Sequence, residues 1–192
     1  MTRVYFDNAA TMPMSGVALA AFAEQARVTG NPSSLHAYGR NARKDIENAR
    51  DLIASLLGCH SSEIVFTGSG TEADNLAIKG IYWHRRAEDS RRKIIVISSI
   101  EHHAVLDPAR WLADHEGAEL IELEVDKEGV INLHSLRELI ENRGEEIALI
   151  SVMHSNNEIG TLQPIANIVQ IADRKKIPVH TDAVQSLSKV DL

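Results

Sequence analysis

Short apolar runs alternate with helical patterns through most of this 192-residue chain, and this alternation constrains the fold more than any other feature. The run at residues 94–97, Ile-Ile-Val-Ile, is apolar on both faces, as strands are in a parallel sheet that helices cover. Such strands joined by helices are typical of an α/β domain. We therefore predict a mainly parallel sheet with ligands bound at the carboxyl ends of its strands.

The patterns also give expectations for the individual elements. Helices are predicted at residues 15–28, 35–57, 71–86, 103–115, 133–142 and 164–175. Strands are predicted at residues 63–67, 93–98, 119–123, 147–153 and 178–182. Ser33 or Ser34 offers an N-cap for the second helix, and Gly58 closes that helix.

Composition argues against several classes of function. The formal net charge is −7 and the pI is near 5.7, so no basic surface is expected for nucleic acid. No apolar run approaches the length that spans a membrane, and the first residues lack the apolar region of a signal peptide. A single cysteine, Cys59, argues against an internal disulfide framework and favours a reducing cytoplasm.

A glycine-rich turn lies between the predicted strand at 63–67 and the predicted helix at 71–86. It reads Thr-Gly-Ser-Gly-Thr and ends at Thr71. Glycine lets the backbone approach a ligand closely, and the free N–H groups of a helix start attract an anion. Phosphate suits such a turn, although an ordinary tight turn is the alternative that this loop alone leaves open.

Polar residues follow three further predicted strands. They lie at residues 101–103 (Glu-His-His), 154–158 (His-Ser-Asn-Asn-Glu) and 182–185 (Asp-Ala-Val-Gln). Each has an ordinary explanation alone, since His or Asp at a helix start is often a cap and Asn-Asn before Gly is often a turn. Together with the glycine turn they favour a pyridoxal phosphate site, which needs an anion cradle, an aromatic plane, an amide and a carboxylate. The carboxylate would keep the pyridine nitrogen protonated, so that the ring acts as an electron sink.

The same segments carry a close resemblance to a known family. The matching residues, at 6–11, 30–34 with 36, 63–68 with 71–77, 101–105, 153–160 and 180–186, follow one another in order over nearly the whole chain. They resemble the pyridoxal-phosphate-dependent cysteine desulfurases of the NifS/IscS type, within the class V aminotransferase family. The Asn-Asn-Glu-Ile-Gly stretch is more similar to this branch than to the SufS-like branch. Met12 departs from the pattern, because the family often has a second threonine there.

The resemblance implies a fold and a division into domains. The fold is the three-layer large domain of the PLP-transferase fold type I, with a mainly parallel sheet that is incomplete at its C-terminal side. Residues 1–14 would be an N-terminal segment associated with the small domain. Residues 15–192 would form a partial PLP-binding large domain.

The resemblance also implies which residues bind the cofactor phosphate and the ring face. Gly70 and Thr71 would bind the phosphate through their backbone N–H groups and the threonine hydroxyl. His102 would stack on the ring and help to move protons, which makes it the implied catalytic residue. His103 lies beside it, and spacing alone does not choose between the two histidines.

Three further residues would contact the edge of the cofactor ring. Asn157 would contact a cofactor oxygen, and Asp182 would pair with the pyridine nitrogen. Gln185 would contact the phenolic oxygen. The resemblance implies no metal.

The implied reaction takes sulfur from L-cysteine, giving L-alanine and an enzyme persulfide that supplies iron–sulfur cluster assembly or tRNA thiolation. The implied partners are a sulfur acceptor or iron–sulfur scaffold protein and a second copy in a homodimer. The family's Schiff-base lysine, in a Ser-x-His-Lys motif, and its persulfide cysteine follow the segment at 182–185. Neither motif is among these 192 residues, since Lys189 and Cys59 lie in other contexts. The isolated chain is therefore expected to be inactive as a desulfurase.

Two alternatives to a desulfurase stay open. One is a non-catalytic binding or regulatory subunit, and the other is a different class V enzyme, such as a selenocysteine lyase or an aminotransferase. The resemblance further implies that the strand at 63–67 pairs with a strand that follows the lysine motif. In this chain that strand is expected to expose an unpaired edge.

Overall fold

The computed structural model describes residues 3–187 and 189–190, and the chain divides into two compact units, one up to Phe66 and one from Thr67. The first unit contains α1 (Gly16–Gln25), α2 (Ala37–Leu57) and a short 3-10 helix at Ser61–Glu63. Both long helices were predicted, with slightly wider bounds. None of the helices in the described residues is long and apolar enough to cross a membrane.

The start of α2 differs from the prediction, whereas its end agrees. Neither Ser33 nor Ser34 is the N-cap, because their backbone N–H groups bond to Asn31 in a turn, each at 2.9 Å. The helix begins later, and the imidazole of His36 accepts from the N–H of Gly39 at 3.4 Å. Gly58 ends the helix in the left-handed region, with φ 67°, which glycine adopts without steric cost.

The predicted strand at 63–67 is wrong as a strand. Residues 61–63 form the 3-10 helix, and no described strand pairs with the segment that follows it. The guanidinium of Arg50 donates to the carbonyl of Ile64 and lies 4.7 Å from the centroid of the Phe66 ring. An apolar β-branched run favours extended backbone, but a strand also needs a ladder partner, and the sequence pattern does not supply one.

Gly39 is packed too closely to accept a side chain. A β-carbon there would lie 2.7 Å from the carbonyl oxygen of Asn31 and still closer to that of Ser34, whereas one at Gly16 would meet nothing within 4 Å. We expect Gly39→Ala to lower the free energy of unfolding by about 2 kcal/mol or more relative to Gly16→Ala. Denaturant unfolding of the two variants measures this difference. Equal midpoints would contradict the close packing.

The second unit is an α/β domain with a parallel sheet, as predicted. Its strands run in the spatial order β2-β1-β3-β4, and every pair is parallel. The strands are β1 (Ile94–Ser98), β2 (Glu119–Leu123), β3 (Ile147–Ser151) and β4 (Val179–His180). The α-helices are α3 (Gly70–Glu88), α4 (His103–Glu116), α5 (Leu133–Arg143) and α6 (Ile165–Asp173), and a 3-10 helix at Gly144–Glu146 follows α5. β3 and β4 are shorter than the predicted ranges 147–153 and 178–182.

The sheet is buried on both faces, which explains why its central strands are continuously apolar. Successive side chains of a strand point to opposite faces. Ile94 and Val96 pack in one core cluster with residues of α5 and α6, whereas Ile95 and Ile97 pack in a second cluster with residues of α3 and α4. The result is three layers, helix on sheet on helix. The polar residues that follow the strands therefore emerge at the carboxyl edge of a closed core.

Candidate functional site

The carboxyl ends of β1, β3 and β4 are tied together by hydrogen bonds. The N–H of Met153, after β3, donates to the Oε1 atom of Glu101, after β1, at 2.6 Å. The N–H of His154 donates to the carbonyl of Asp182, after β4, at 2.9 Å. The polar residues predicted from these strand ends therefore share one edge of the sheet.

The glycine turn opens α3 and leaves two backbone donors without acceptors. The Oγ atom of Ser69 accepts from the N–H of Glu72 at 3.2 Å, and the Glu72 carboxylate accepts from the N–H of Gly68 at 2.8 Å. Within the described part of the chain, the N–H groups of Gly70 and Thr71 have no acceptor. They stand at the positive end of a 19-residue helix, which is the arrangement that favours an anion.

Gly70 also lies against the segment that follows β4. A β-carbon at Gly70 would be 4.0 Å from the Cγ2 atom of Val184. Val184 stands between Asp182 and Gln185 in the sequence. The structure thus brings the predicted phosphate turn next to the predicted ring-binding segment.

The two adjacent histidines are held in different ways. His102 is the N-cap of α4, and its Nδ1 atom accepts from the N–H of Ala104 at 3.1 Å. A neutral imidazole that accepts at Nδ1 carries its proton on Nε2. His103 instead contacts Asp107, one turn along the helix, at 3.3 Å. Both histidines line an open groove that also includes Thr71.

The two adjacent asparagines differ in their side-chain hydrogen bonds. Asn156 is buried, and its Nδ2 atom donates to the carbonyl of Ile100 at 3.0 Å. Its Oδ1 atom accepts from the N–H groups of Glu158 and Ile159, each at 2.9 Å. Asn157 is half-buried, and its side chain has no hydrogen-bond partner among the residues the structure describes. Asn156 builds the turn, and the turn leaves the amide of Asn157 available.

Asp182 is a buried carboxylate without a cationic partner in the described residues. Its side chain is 9% exposed, and its Oδ1 atom accepts from the N–H of Val184 at 2.9 Å. No ion pair of the described chain includes it. Nearby, the Oε1 atom of Gln185 accepts from the Nζ atom of Lys189 at 3.1 Å. The Asp182 carboxylate is suited to pair with a cationic group of a ligand.

Glu101 also belongs to this edge, and neither its sequence position nor the resemblance predicted a role for it. It is 9% exposed, and its Oε2 atom is buried without a hydrogen-bond partner in the described part of the chain. Burial raises the pKa of Glu101 to about 8, the N–H of Met153 opposes the rise, and the carboxylates of Asp182 and Asp74 add to it. An acidic residue three positions after the end of a strand with a continuous apolar run was the signal that could have identified it.

A buried polar chain lies beside the same edge and was also missed. The Oδ1 atom of Asp74, on α3, lies 3.5 Å from the Nε2 atom of His180, on β4. The Nδ1 atom of His180 lies 2.9 Å from the Oγ atom of Ser151, on β3. This chain fastens α3, and with it the glycine turn, to the strands that carry Asp182. Nothing in the spacing of these residues along the sequence indicated that they meet.

Comparison with known proteins adds a family relationship. The model of the family described as aminotransferase class-V matches residues 4–192. An IscS-like cysteine desulfurase of Mycobacterium tuberculosis is 47% identical over 188 residues, which cover 98% of this chain and 48% of that protein. The chain spans about half the length of the curated relatives it matches.

Two solved structures share the fold closely. A NifS-like protein superimposes with a TM-score of 0.88 at 36% identity, over 96% of this chain and 50% of that one. The structure of SspA in complex with cysteine gives a TM-score of 0.88 at 38% identity, over 98% of this chain and 52% of that one. The structural relatives thus agree with the sequence relatives.

Proposed function

We propose that this chain, which belongs to the aminotransferase class-V family, binds pyridoxal 5′-phosphate at the carboxyl edge of its sheet as part of a cysteine desulfurase. The observation that carries the proposal is the proximity of two unlike binding groups. The N–H groups of Gly70 and Thr71 lack acceptors, and the buried carboxylate of Asp182 lacks a cation, among the described residues. A ligand with a phosphate at one end and a protonated nitrogen at the other satisfies both.

The phosphate end fits the start of α3. Gly70 and Thr71 offer backbone N–H groups there, and the Thr71 hydroxyl adds a donor. Because the Ser69 hydroxyl accepts from the Glu72 N–H and the Glu72 carboxylate accepts from the Gly68 N–H, the turn is held in shape without using the two N–H groups offered to the phosphate. Such a preformed cradle binds an anion at little conformational cost.

The nitrogen end fits Asp182. Burial strengthens the attraction between this carboxylate and a pyridinium nitrogen, because the local dielectric is low. The bond from the Val184 N–H to Oδ1 orients the carboxylate and leaves its other oxygen for the ligand. When bound, pyridoxal phosphate supplies an electron sink, and a carboxylate at its nitrogen keeps that sink active.

The remaining predicted residues would serve the ring and the substrate. His102 has its Nδ1 atom engaged by Ala104, so in the neutral ring its Nε2 atom is the position that holds a proton. That imidazole would cover the ring face and move a proton at Nε2. Asn157 and Gln185 would contact oxygens at the ring edge.

Cysteine as the substrate is supported by the relatives. Those most similar in sequence are named cysteine desulfurases, and SspA was solved with cysteine bound. We propose L-cysteine as the sulfur donor, a sulfur-acceptor or iron–sulfur scaffold protein as the recipient, a homodimeric assembly and a cytoplasmic location. The proposed chemistry requires a Schiff-base lysine and a persulfide cysteine, whose motifs are not among these 192 residues. The proposal for these 192 residues is therefore recognition of the cofactor.

Binding of pyridoxine 5′-phosphate tests the proposal. This analogue carries an alcohol in place of the aldehyde, so it cannot condense with lysine amines. By titration calorimetry we expect it to bind about 10-fold or more tightly than pyridoxine, because only the phosphate form fills the helix start. Thr71→Val removes one hydroxyl donor and should weaken binding about 10-fold, whereas Thr29→Val, in the other unit, should leave it unchanged. Equal affinities for pyridoxine and its phosphate would refute the proposed cradle.

A further inference from the structure

We propose that Glu101 is a positioning residue of this cofactor site, which holds the turn after β3 in place as a neutral carboxylic acid. The inference rests on the proposed function and extends it to a residue that the resemblance did not assign. The positioning role is supported by the hydrogen bonding of the two carboxyl oxygens of Glu101 and by the charges that surround them.

The first oxygen of Glu101 joins two loops of the site. Oε1 accepts from the N–H of Met153 at 2.6 Å, which links the end of β1 to the end of β3. A second link, from Asn156 to the carbonyl of Ile100 at 3.0 Å, lies next to it. His102 follows Glu101 directly, and Asn157 follows Asn156. These two links therefore set the spacing between the predicted ring-stacking histidine and the predicted amide.

The second oxygen of Glu101 explains why the group is neutral. Oε2 is buried and has no hydrogen-bond partner in the described chain. An ionised carboxylate with an unpartnered buried oxygen carries a large desolvation cost, whereas the protonated acid carries much less. With Oε1 accepting from Met153, the proton belongs on Oε2.

The surrounding charges act in the same direction. Asp182, after β4, and Asp74, on α3, both raise the pKa of Glu101, after burial as the first cause. His180, on β4, lies toward Asp74, with its Nε2 atom 3.5 Å from that carboxylate. Carboxyl groups that share a site do not all ionise together. A protonated Glu101 adds no negative charge beside Asp182, the carboxylate proposed to pair with the cofactor nitrogen.

Ionisation of Glu101 should disturb the site at alkaline pH. Above about pH 8 the group loses its proton, and moving toward water lowers the free energy of the ionised carboxylate. That movement weakens the bond to the Met153 N–H and releases the turn that carries Asn157. Affinity for the cofactor should fall in the same pH range.

Glu101→Gln and Glu101→Ala separate these effects. Glutamine keeps the acceptor for Met153 and cannot ionise, whereas alanine removes the link, and Glu141→Gln on α5 is the control for loss of one acidic side chain. We expect the affinity of wild type for pyridoxine 5′-phosphate, relative to that of Glu101→Gln, to fall about 10-fold between pH 7 and pH 9.5. The ligand's own titration is common to both proteins and cancels in this ratio. Glu101→Ala should bind about 10-fold more weakly than wild type already at pH 7.

Amide hydrogen exchange of Met153 in the ligand-free chain is the second measurement. Its protection factor should fall above about pH 8 in wild type and in Glu141→Gln, and should persist in Glu101→Gln. A pH-independent affinity ratio, or wild-type binding by Glu101→Ala, would overturn the inference. If neither wild type nor any variant bound the ligand, the proposed function would be refuted independently of the role of Glu101. The Met153 protection would then decide the role of Glu101 by itself, and equal pH profiles in wild type and Glu101→Gln would refute it.

Discussion

Replacing Asp182 with alanine is expected to weaken binding of pyridoxine 5′-phosphate about 100-fold. The wild-type carboxylate is 9% exposed and pairs with no cation of the described residues, so the ligand nitrogen would be its counter-ion. Removing one member of a buried charge pair loses the attraction and leaves the other charge desolvated. Calorimetric titration at pH 7 measures the effect.

Two further variants distinguish the loss of the Asp182 charge from a disturbance of the local fold. Asp182→Asn keeps an Oδ1 acceptor for the Val184 N–H and should still lose most of the affinity, because the charge is gone. Asp126→Asn is the matched control, since the Oδ1 atom of Asp126 also accepts backbone N–H groups in a turn, at 3.0 Å from Glu128 and 2.9 Å from Val130. If Asp182→Asn bound the ligand as well as Asp126→Asn does, Asp182 would not be the partner of the ligand nitrogen.

The unfolding free energy of the ligand-free chain is expected to fall as the pH rises from about 4.5 to about 8, owing to Glu101. The folded state raises the pKa of this group from its ordinary value of 4.5, so between the two values the folded protein holds a proton that the unfolded chain has released. The favourable contribution of Glu101 to the unfolding free energy is complete below about pH 4.5 and is lost by about pH 8. The slope from one such proton is at most about 1.4 kcal/mol per pH unit.

Urea unfolding at several pH values measures this dependence, and Glu101→Gln identifies its source. The variant has no titrating group at that position, so its stability should be nearly level over the same range and should exceed that of wild type most clearly near pH 8. Glu141→Gln, an exposed change on α5, should follow the wild-type profile. A parallel decline in wild type and Glu101→Gln would assign the pH dependence to other groups.

The sequence predicted the second unit well because its signals are local. Periodicity within each segment located the four α-helices and the four strands described in this unit, and the continuously apolar run of β1 indicated burial on both faces. The prediction at 63–67 was wrong because pairing is not local. The composition of Ile64, Val65 and Phe66 favours extended backbone, but no described strand lies beside them.

The same distinction applies to the site. Its candidate residues could be named because they follow strands, and parallel strands end at one edge. The sequence did not show which of several neighbouring polar residues makes the structural hydrogen bonds. Asn156 is the residue that builds the turn, and His36 is the residue that caps α2, because of which N–H groups come within reach in the folded chain.

What the sequence by itself determined is therefore the class of fold, the family and which polar segments share one edge of the sheet. The tertiary structure decided the electrostatic state of that edge. It buried Glu101 beside two other carboxylates and placed His180 between Asp74 and Ser151, from three separate elements. Periodicity and motif spacing are properties of one segment, whereas burial, charge and protonation depend on which distant segments meet.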